Sequence, residues 1–411
     1  MHKKVLILGN YRPSYILARA LYHKGYQVIC GLDGYDRGTE VSKYVHAVWD
    51  HPPLSSGADV FQEAMDALCA KDVTIELVIP VAESFVRAFA ESRLKPPGAI
   101  KIASMASETI TFCLNKPLLL SKAAELDIPI APFVVTSNHQ DLLGQASKLN
   151  FPLVIRPMDS TKRLGGKKAL TCRTVGDLKE QQEVLKDKSL LTQEYVSGNR
   201  DNIYFSAHHG ELQSYLHAKI ERTDQPDGSG LALEGVTVAP CPILKSYVVK
   251  LLRGIGYHGI GCVQFLVDER EDRRYLLELN PRLAGNHALA EHAGLTLSDD
   301  ILDLAHGRLA KRPLSVGRAG IHYTWLAGEL ESLRLAWRAG DFGALHFLRA
   351  VGKAIRAYLQ ADFDVSINRD DWKPGLYSLC DSLPLIGTIS RARLENGLVQ
   401  KILVRKIRLQ A

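Results

Sequence analysis

The sequence predicts an α/β protein, and three observations predict it. Strand-like and helix-like stretches alternate from residue 3 to about residue 110, the rhythm of βαβ units around a parallel sheet. Farther on, the apolar run Tyr275-Leu276-Leu277-Glu278-Leu279-Asn280-Pro281-Arg282 reads as a buried strand whose end is crowded with polar groups. Upstream of it, Cys262-Val263-Gln264-Phe265-Leu266-Val267 reads as a partner strand, joined to it by the polar hairpin Asp268 to Asp272. The expected division is an α/β domain over 1–110, a second α/β domain over 111–312 built around that hairpin, and a C-terminal extension over 313–411.

In chain order, Val5–Leu8 is a first strand, Ser14–Lys24 a helix and Gln27–Cys30 a strand. Val60–Ala70 follows as a helix, Glu76–Val81 as a strand, Ala82–Ser92 as a helix, and Lys101–Ala103 as a short strand. The first strand–helix turn, Gly9-Asn10-Tyr11-Arg12-Pro13-Ser14, has one glycine where a dinucleotide fingerprint needs three, so a nicotinamide site is not expected. Gly254-Ile255-Gly256-Tyr257-His258-Gly259 has the G-x-G-x-x-G spacing, but it follows the helix-like Ser246–Arg253 and enters a strand. That order is the reverse of the fingerprint, and the stretch reads as a helix C-cap and turn. In the extension, Leu345, Leu348, Val351, Ile355 and Leu359 recur at helical spacing, and Trp372-Lys373-Pro374-Gly375 is expected to break the chain.

Composition narrows the classes. No apolar run reaches the roughly 18 residues of a spanning helix. The apolar part of the N-terminus is too short for a signal peptide. The seven cysteines are scattered with no Cys-x-x-Cys pair, the pattern of reduced residues and of a cytoplasmic setting. Of the net charge of +6, most lies in the tail from Arg391, where six Lys or Arg face the single acid Glu395. Without interleaved aromatic residues this tail lacks the stacking platform of a nucleic-acid binder and reads as a strand or helix with a solvated face.

Side chains alternate along a strand, so Glu278, Asn280 and, if the strand continues past Pro281, Arg282 project to one side and Leu277 and Leu279 to the other. Antiparallel pairing brings Gln264 opposite Glu278 or one step from it. Carboxylate and carboxamide oxygens suit Mg²⁺, which completes its octahedron with water and phosphate oxygens, and an arginine beside the metal suits phosphate.

The pattern of Gln264 followed by Glu278-Leu279-Asn280-Pro281-Arg282 resembles the metal-binding hairpin of the ATP-grasp superfamily, in the version found in carbamoyl-phosphate synthase large subunits. The resemblance runs over residues 1–312, with specific motifs in 115–295. Lys116, opening a helix that ends before Asp127-Ile128-Pro129-Ile130-Ala131-Pro132, resembles the first phosphate-contacting cation. Arg156, on Phe151-Pro152-Leu153-Val154-Ile155-Arg156-Pro157, resembles the second, where most relatives have lysine. Asp159 to Lys168 stands in the place of the glycine-rich phosphate lid, with fewer glycines and more basic residues. Leu190 to Val196 resembles the hinge that holds adenine through Glu194, Tyr195 and Val196, and Asp201 stands where the family has a ribose-binding glutamate. Gly228-Ser229-Gly230 and Gly235 to Pro240 resemble the loop before the helix leading to the hairpin, without the histidine of carbamoyl-phosphate synthases. Asn286 to Leu295 resembles the helix after the hairpin; His287 and His292 are five apart, which does not suit zinc.

The resemblance implies a fold in which a parallel-sheet domain precedes the ATP-grasp domain. It also implies ATP and Mg²⁺ (or Mn²⁺) as cofactors, with Gln264, Glu278 and Asn280 on the metal and Arg282 as the catalytic cation. The implied function is an ADP-forming carboxylate–amine ligase whose partners are a small-molecule carboxylate and an amine, and it allows a homodimer. Asn10, Arg12 and Glu83 are the expected contacts to the second substrate. Carboxyphosphate chemistry and a non-catalytic nucleotide-binding regulator are the alternatives.

Overall fold

The computed structural model of the chain describes residues 3–32, 38–159, 162–225, 230–382 and 407–409. The chain forms two compact units, one of Met1–Thr111, Asn202–Cys262 and Asn280–Ala411, the other of Phe112–Asp201 and Val263–Leu279.

The first unit opens with the predicted parallel sheet. Its strand order is Ile407–Leu409, Val45–Asp50, Gln27–Leu32, Lys4–Leu8, Ile75–Pro80 and Lys101–Ile102, and every neighbouring pair is parallel. Strands buried on both faces carry near-continuous apolar runs, as Val5 to Leu8 and Leu77 to Ile79 do, all fully buried. Helices Arg12–His23, Ala58–Lys71 and Glu83–Ala90 make the crossovers. Phe61, Met65 and Leu68 of the second, with Phe85 of the third, pack on Leu6, Leu8, Ile29, Trp49 and Val78. The strand Val45–Asp50 was not visible in the sequence pattern, because its apolar positions are interrupted by the exposed His46.

The same unit holds a second sheet. Glu211–Thr223 pairs antiparallel with Ala232–Val238, which pairs antiparallel with His322–Thr324; Phe363–Asp364 lies beyond, and Ser315–Val316 pairs with Glu211–Thr223. Residues read as a loop from Gly235 are therefore a strand up to Val238, and only Ala239 to Cys241 precede the helix Pro242–Gly254. Gly235 is required there, since a Cβ would meet the Lys219 carbonyl at 2.5 Å. The helix ends as a C-cap, with Gly256 at φ +59 and Tyr257 N–H donating to Leu252 O, so the glycine motif is the turn expected of it.

Two further helices follow, Leu326–Ala339 and Ala344–Gln360, the second matching the helical spacing from Leu345 to Leu359. The expected break at Trp372 is wrong: Trp372–Ser382 is a helix. Pro374 falls in its first turn, where no backbone N–H is needed for the helix ladder. Residues 383–406 and 410–411, which include most of the basic tail, lie outside the described part; Ile407–Leu409 is the edge strand beside Val45–Asp50.

The second unit is built on an antiparallel sheet in the order Phe133–Thr136, Leu190–Glu194, Leu153–Pro157, Leu170–Cys172. Leu142, Ile155, Leu164, Leu178, Leu185 and Leu190 form its core. The hairpin strands Gly259–Asp268 and Arg273–Asn280 are neighbours, and the part of each in Val263–Leu279 belongs to this unit.

Candidate active site

In the second unit, Lys116 is set by a capped helix start. The Asn115 side chain accepts from Leu118 N–H and Pro117 follows in the first turn, so Lys116–Glu125 begins where the sequence places it. Lys116 Nζ lies 3.5 Å from Glu278 Oε2, both side chains partly buried. The two residues are far apart in sequence, and the fold brings this cation and this carboxylate together. On the partner strand, burial alternates Val263, Phe265, Val267 inward, which leaves Gln264 on the accessible side. A carboxylate and a carboxamide offer oxygens that would suit a divalent cation, and the ammonium beside the carboxylate offers a charge to phosphate oxygens.

Arg156 is the next-to-last residue of Leu153–Pro157, paired in register with Leu191. Its buried Nε has no hydrogen-bond partner among the described residues. The stretch standing in for the phosphate lid is anchored: Leu164 and Lys167 exchange backbone hydrogen bonds of 2.8 and 3.0 Å around Gly165 and Gly166, both at positive φ. Leu164 is fully buried in the unit's core. Ser160 and Thr161 lie outside the described residues, as do Gly228 and Ser229.

At the hinge, Glu194 N–H donates to Pro132 O and Tyr195 N–H to Pro152 O. The Glu194 carboxylate accepts from the backbone and side chain of Asn150, at 2.8 and 2.9 Å. Tyr195 is exposed, Val196 is half-buried, and the Val196 N–H is not engaged by any described residue. Asp201, at 2 % exposure, is buried.

In the first unit, Asn280 closes its strand and Arg282 N–H turns back to Asn280 O at 2.9 Å. The Arg282 guanidinium pairs with Glu83 at 3.3 Å and donates to Leu283 O. Asn10 donates to Glu40 and is buried, and its Oδ1 has no partner among the described residues. Arg12 lies at the start of its helix, whose N-cap Tyr11 supplies no side-chain cap. Its guanidinium stacks 3.7 Å from the ring centroid of Trp325 and reaches Ala232 O at 3.4 Å. Gly285 makes room for it, since a Cβ there would come within 2.8 Å of Arg12 Nη2. Arg12 makes no ion pair among the described residues, and burial lowers its pKa to about 10. Burial also raises the Tyr11 phenol, against the pull of Arg282 and Arg12.

Sequence reasoning missed Trp325. A tryptophan before a helix carries no signal of its own, and only the fold shows that it covers Arg12. His287 bonds to Ser298 and pairs with Glu291, which leaves it in a buried network rather than a zinc set.

A parallel-sheet unit, a unit with a four-stranded antiparallel sheet and the Gln264–Glu278 hairpin together define the ATP-grasp fold. The family model for the carbamoyl-phosphate synthase L chain, ATP binding domain, matches residues 234–311. The chain is 26% identical over 210 residues to the carbamoyl phosphate synthase large chain of Caldanaerobacter subterraneus subsp. tengcongensis, which covers 47% of this chain and 19% of that one. It is thus similar to about a fifth of that relative's length. Among solved structures, a biotin carboxylase complex with β,γ-ATP from Campylobacter jejuni superposes with a TM-score of 0.60 at 16% identity, covering 78% of this chain and 74% of that one. N5-carboxyaminoimidazole synthetase from Staphylococcus aureus does so with a TM-score of 0.60 at 13% identity, covering 83% and 87%.

Proposed function

We propose that this chain is an ATP- and Mg²⁺-dependent, ADP-forming ligase that activates a carboxylate as an acyl phosphate and joins it to an amine. The observation that carries this reading is the Lys116–Glu278 pair at 3.5 Å, beside a hairpin that keeps Gln264 on its accessible side. A lysine that neutralises phosphate and a carboxylate that takes the metal balance each other until the nucleotide arrives.

Gln264, Glu278 and Asn280 are the residues that would hold Mg²⁺ (or Mn²⁺), which neutralises phosphate charge when bound. Lys116 and Arg156 hold phosphate oxygens, Arg156 with a buried Nε that lacks a partner among the described residues. Val196 N–H offers the adenine a donor, and Asp201 accepts from the ribose hydroxyls. The substrate carboxylate oxygen attacks the γ-phosphorus, the bond to the β-phosphate oxygen breaks, and ADP leaves. The amine then attacks the acyl carbon, phosphate leaves with the bond to it, and the amine proton passes to solvent. Arg282, held by Glu83, steadies the developing phosphoryl charge.

Arg12 supports an anionic substrate. Its partly buried guanidinium makes no ion pair among the described residues, so an anionic ligand can supply the counter-charge. An uncapped helix N-terminus beside it adds a favourable field for an anion.

A second reading, in which the carboxylate is bicarbonate and the intermediate carboxyphosphate, draws on the match to the carbamoyl-phosphate synthase ATP-binding domain. Incubating the protein with ATP, Mg²⁺ and a panel of amino acids and carboxylates, reading ADP and product masses, tests both. Substrate-dependent ADP with an amide product supports the first, ADP dependent on bicarbonate alone supports the second, and no added-substrate dependence rejects both.

A further inference from the structure

The helix Ala344–Gln360 presents three faces at its 3.6-residue period. Phe347, Val351 and Ala354 turn inward. A second stripe is apolar yet exposed: Leu345 is 64%, Leu348 65%, Ile355 46% and Leu359 74% accessible. Beside it runs a third stripe, Arg349, Lys353 and Arg356, all exposed, and the helix carries no acid. The preceding helix Leu326–Ala339 has exposed Leu335, Trp337 and Arg338, and its Trp337 ring stacks on Phe347 at 4.9 Å. Contiguous exposed apolar side chains with a polar rim mark an interaction surface.

We propose that this helical hairpin docks on an anionic lipid bilayer, lying in its interface. A basic stripe running alongside an exposed leucine stripe is the composition that sinks an amphipathic helix to the headgroup level. The 17-residue helix lies on the bilayer and does not cross it: no helix among the described residues is long and apolar enough to span. Charge selects the partner. A second copy of the same face would bring Arg349, Lys353 and Arg356 toward their own equivalents, whereas anionic headgroups neutralise them.

The test is flotation of the full-length protein with vesicles of phosphatidylcholine alone and of equal parts phosphatidylcholine and phosphatidylglycerol. It is expected to float with the mixed vesicles and not with the neutral ones. Replacing Leu348→Asp with Leu359→Asp should lower partitioning by about tenfold or more. Replacing Arg349, Lys353 and Arg356 by Gln should lower it by about fivefold per charge. Both variants should keep the wild-type circular dichroism and melting temperature, because the altered side chains are exposed. The proposal is overturned if the protein fails to float with anionic vesicles, or if neither variant changes flotation. It is overturned equally if the wild type sediments as a dimer that the leucine replacements split, which would make the face a self-interface.

Discussion

Lys116 and Glu278 carry the account at the scale of single residues. Their pairing at 3.5 Å places a cation beside the carboxylate proposed to take the metal. Glu278→Gln is therefore expected to keep the melting temperature within a few degrees and to lower ADP formation by more than about a hundredfold, since a neutral amide leaves the metal charge unbalanced. Unchanged turnover at saturating Mg²⁺ would remove Glu278 from the site. Asp201, buried, is the residue proposed for the ribose hydroxyls. Charge-assisted hydrogen bonds of roughly 1.5–3 kcal/mol predict that Asp201→Ala weakens ATP about tenfold to a hundredfold while a 2′,3′-dideoxy analogue is nearly unaffected. Equal losses for both nucleotides would move the contact to Asn202. Arg12→Met should raise the KM of the carboxylate substrate about tenfold or more and leave ATP affinity unchanged. A loss confined to ATP would show that Arg12 serves the nucleotide instead.

At the scale of elements, the legible parts of the sequence were those governed by local rules. The Asn115 cap and Pro117 announce the helix that carries Lys116. Alternation across Gln264 and the polar turn before Arg273 announce the hairpin. Elements that depend on distant partners were less legible. Val45–Asp50 is a strand because it lies between Gln27–Leu32 and Ile407–Leu409, and nothing local demands it. Trp372 looked like a break because Pro374 and Gly375 follow it, yet both are accommodated, Gly375 by close packing on Ile367. Of the candidate site, the charged and amide residues could be read from motif spacing. The Trp325 stack on Arg12 could not, because aromatic burial over a cation is a tertiary event. The edge strand Ile407–Leu409 leads to a prediction of its own. A chain ending at Leu394 should stay soluble and form ADP with unchanged ATP and Mg²⁺ dependence. Its melting temperature should fall by about 2–4 °C, the shift expected for losing roughly 1 kcal/mol. Normal ATP binding without turnover would instead make the tail part of the acceptor site.

At the scale of the whole molecule, the ATP-grasp fold has a second unit that carries the residues proposed for phosphate, with Gln264 and Glu278 proposed for the metal, and a first unit that carries Arg282, Glu83 and Arg12. Fold alone does not specify chemistry, so the claim rests on the phosphoryl-transfer step itself. The most direct test supplies a substrate carboxylate labelled in both oxygens, with ATP, Mg²⁺ and the amine, and follows the label. Attack of that carboxylate on the γ-phosphorus carries one labelled oxygen into the phosphate released with ADP and leaves the other in the amide. That distribution is the result expected. Unlabelled phosphate, or release of AMP and pyrophosphate in place of ADP, would contradict an acyl-phosphate ligase.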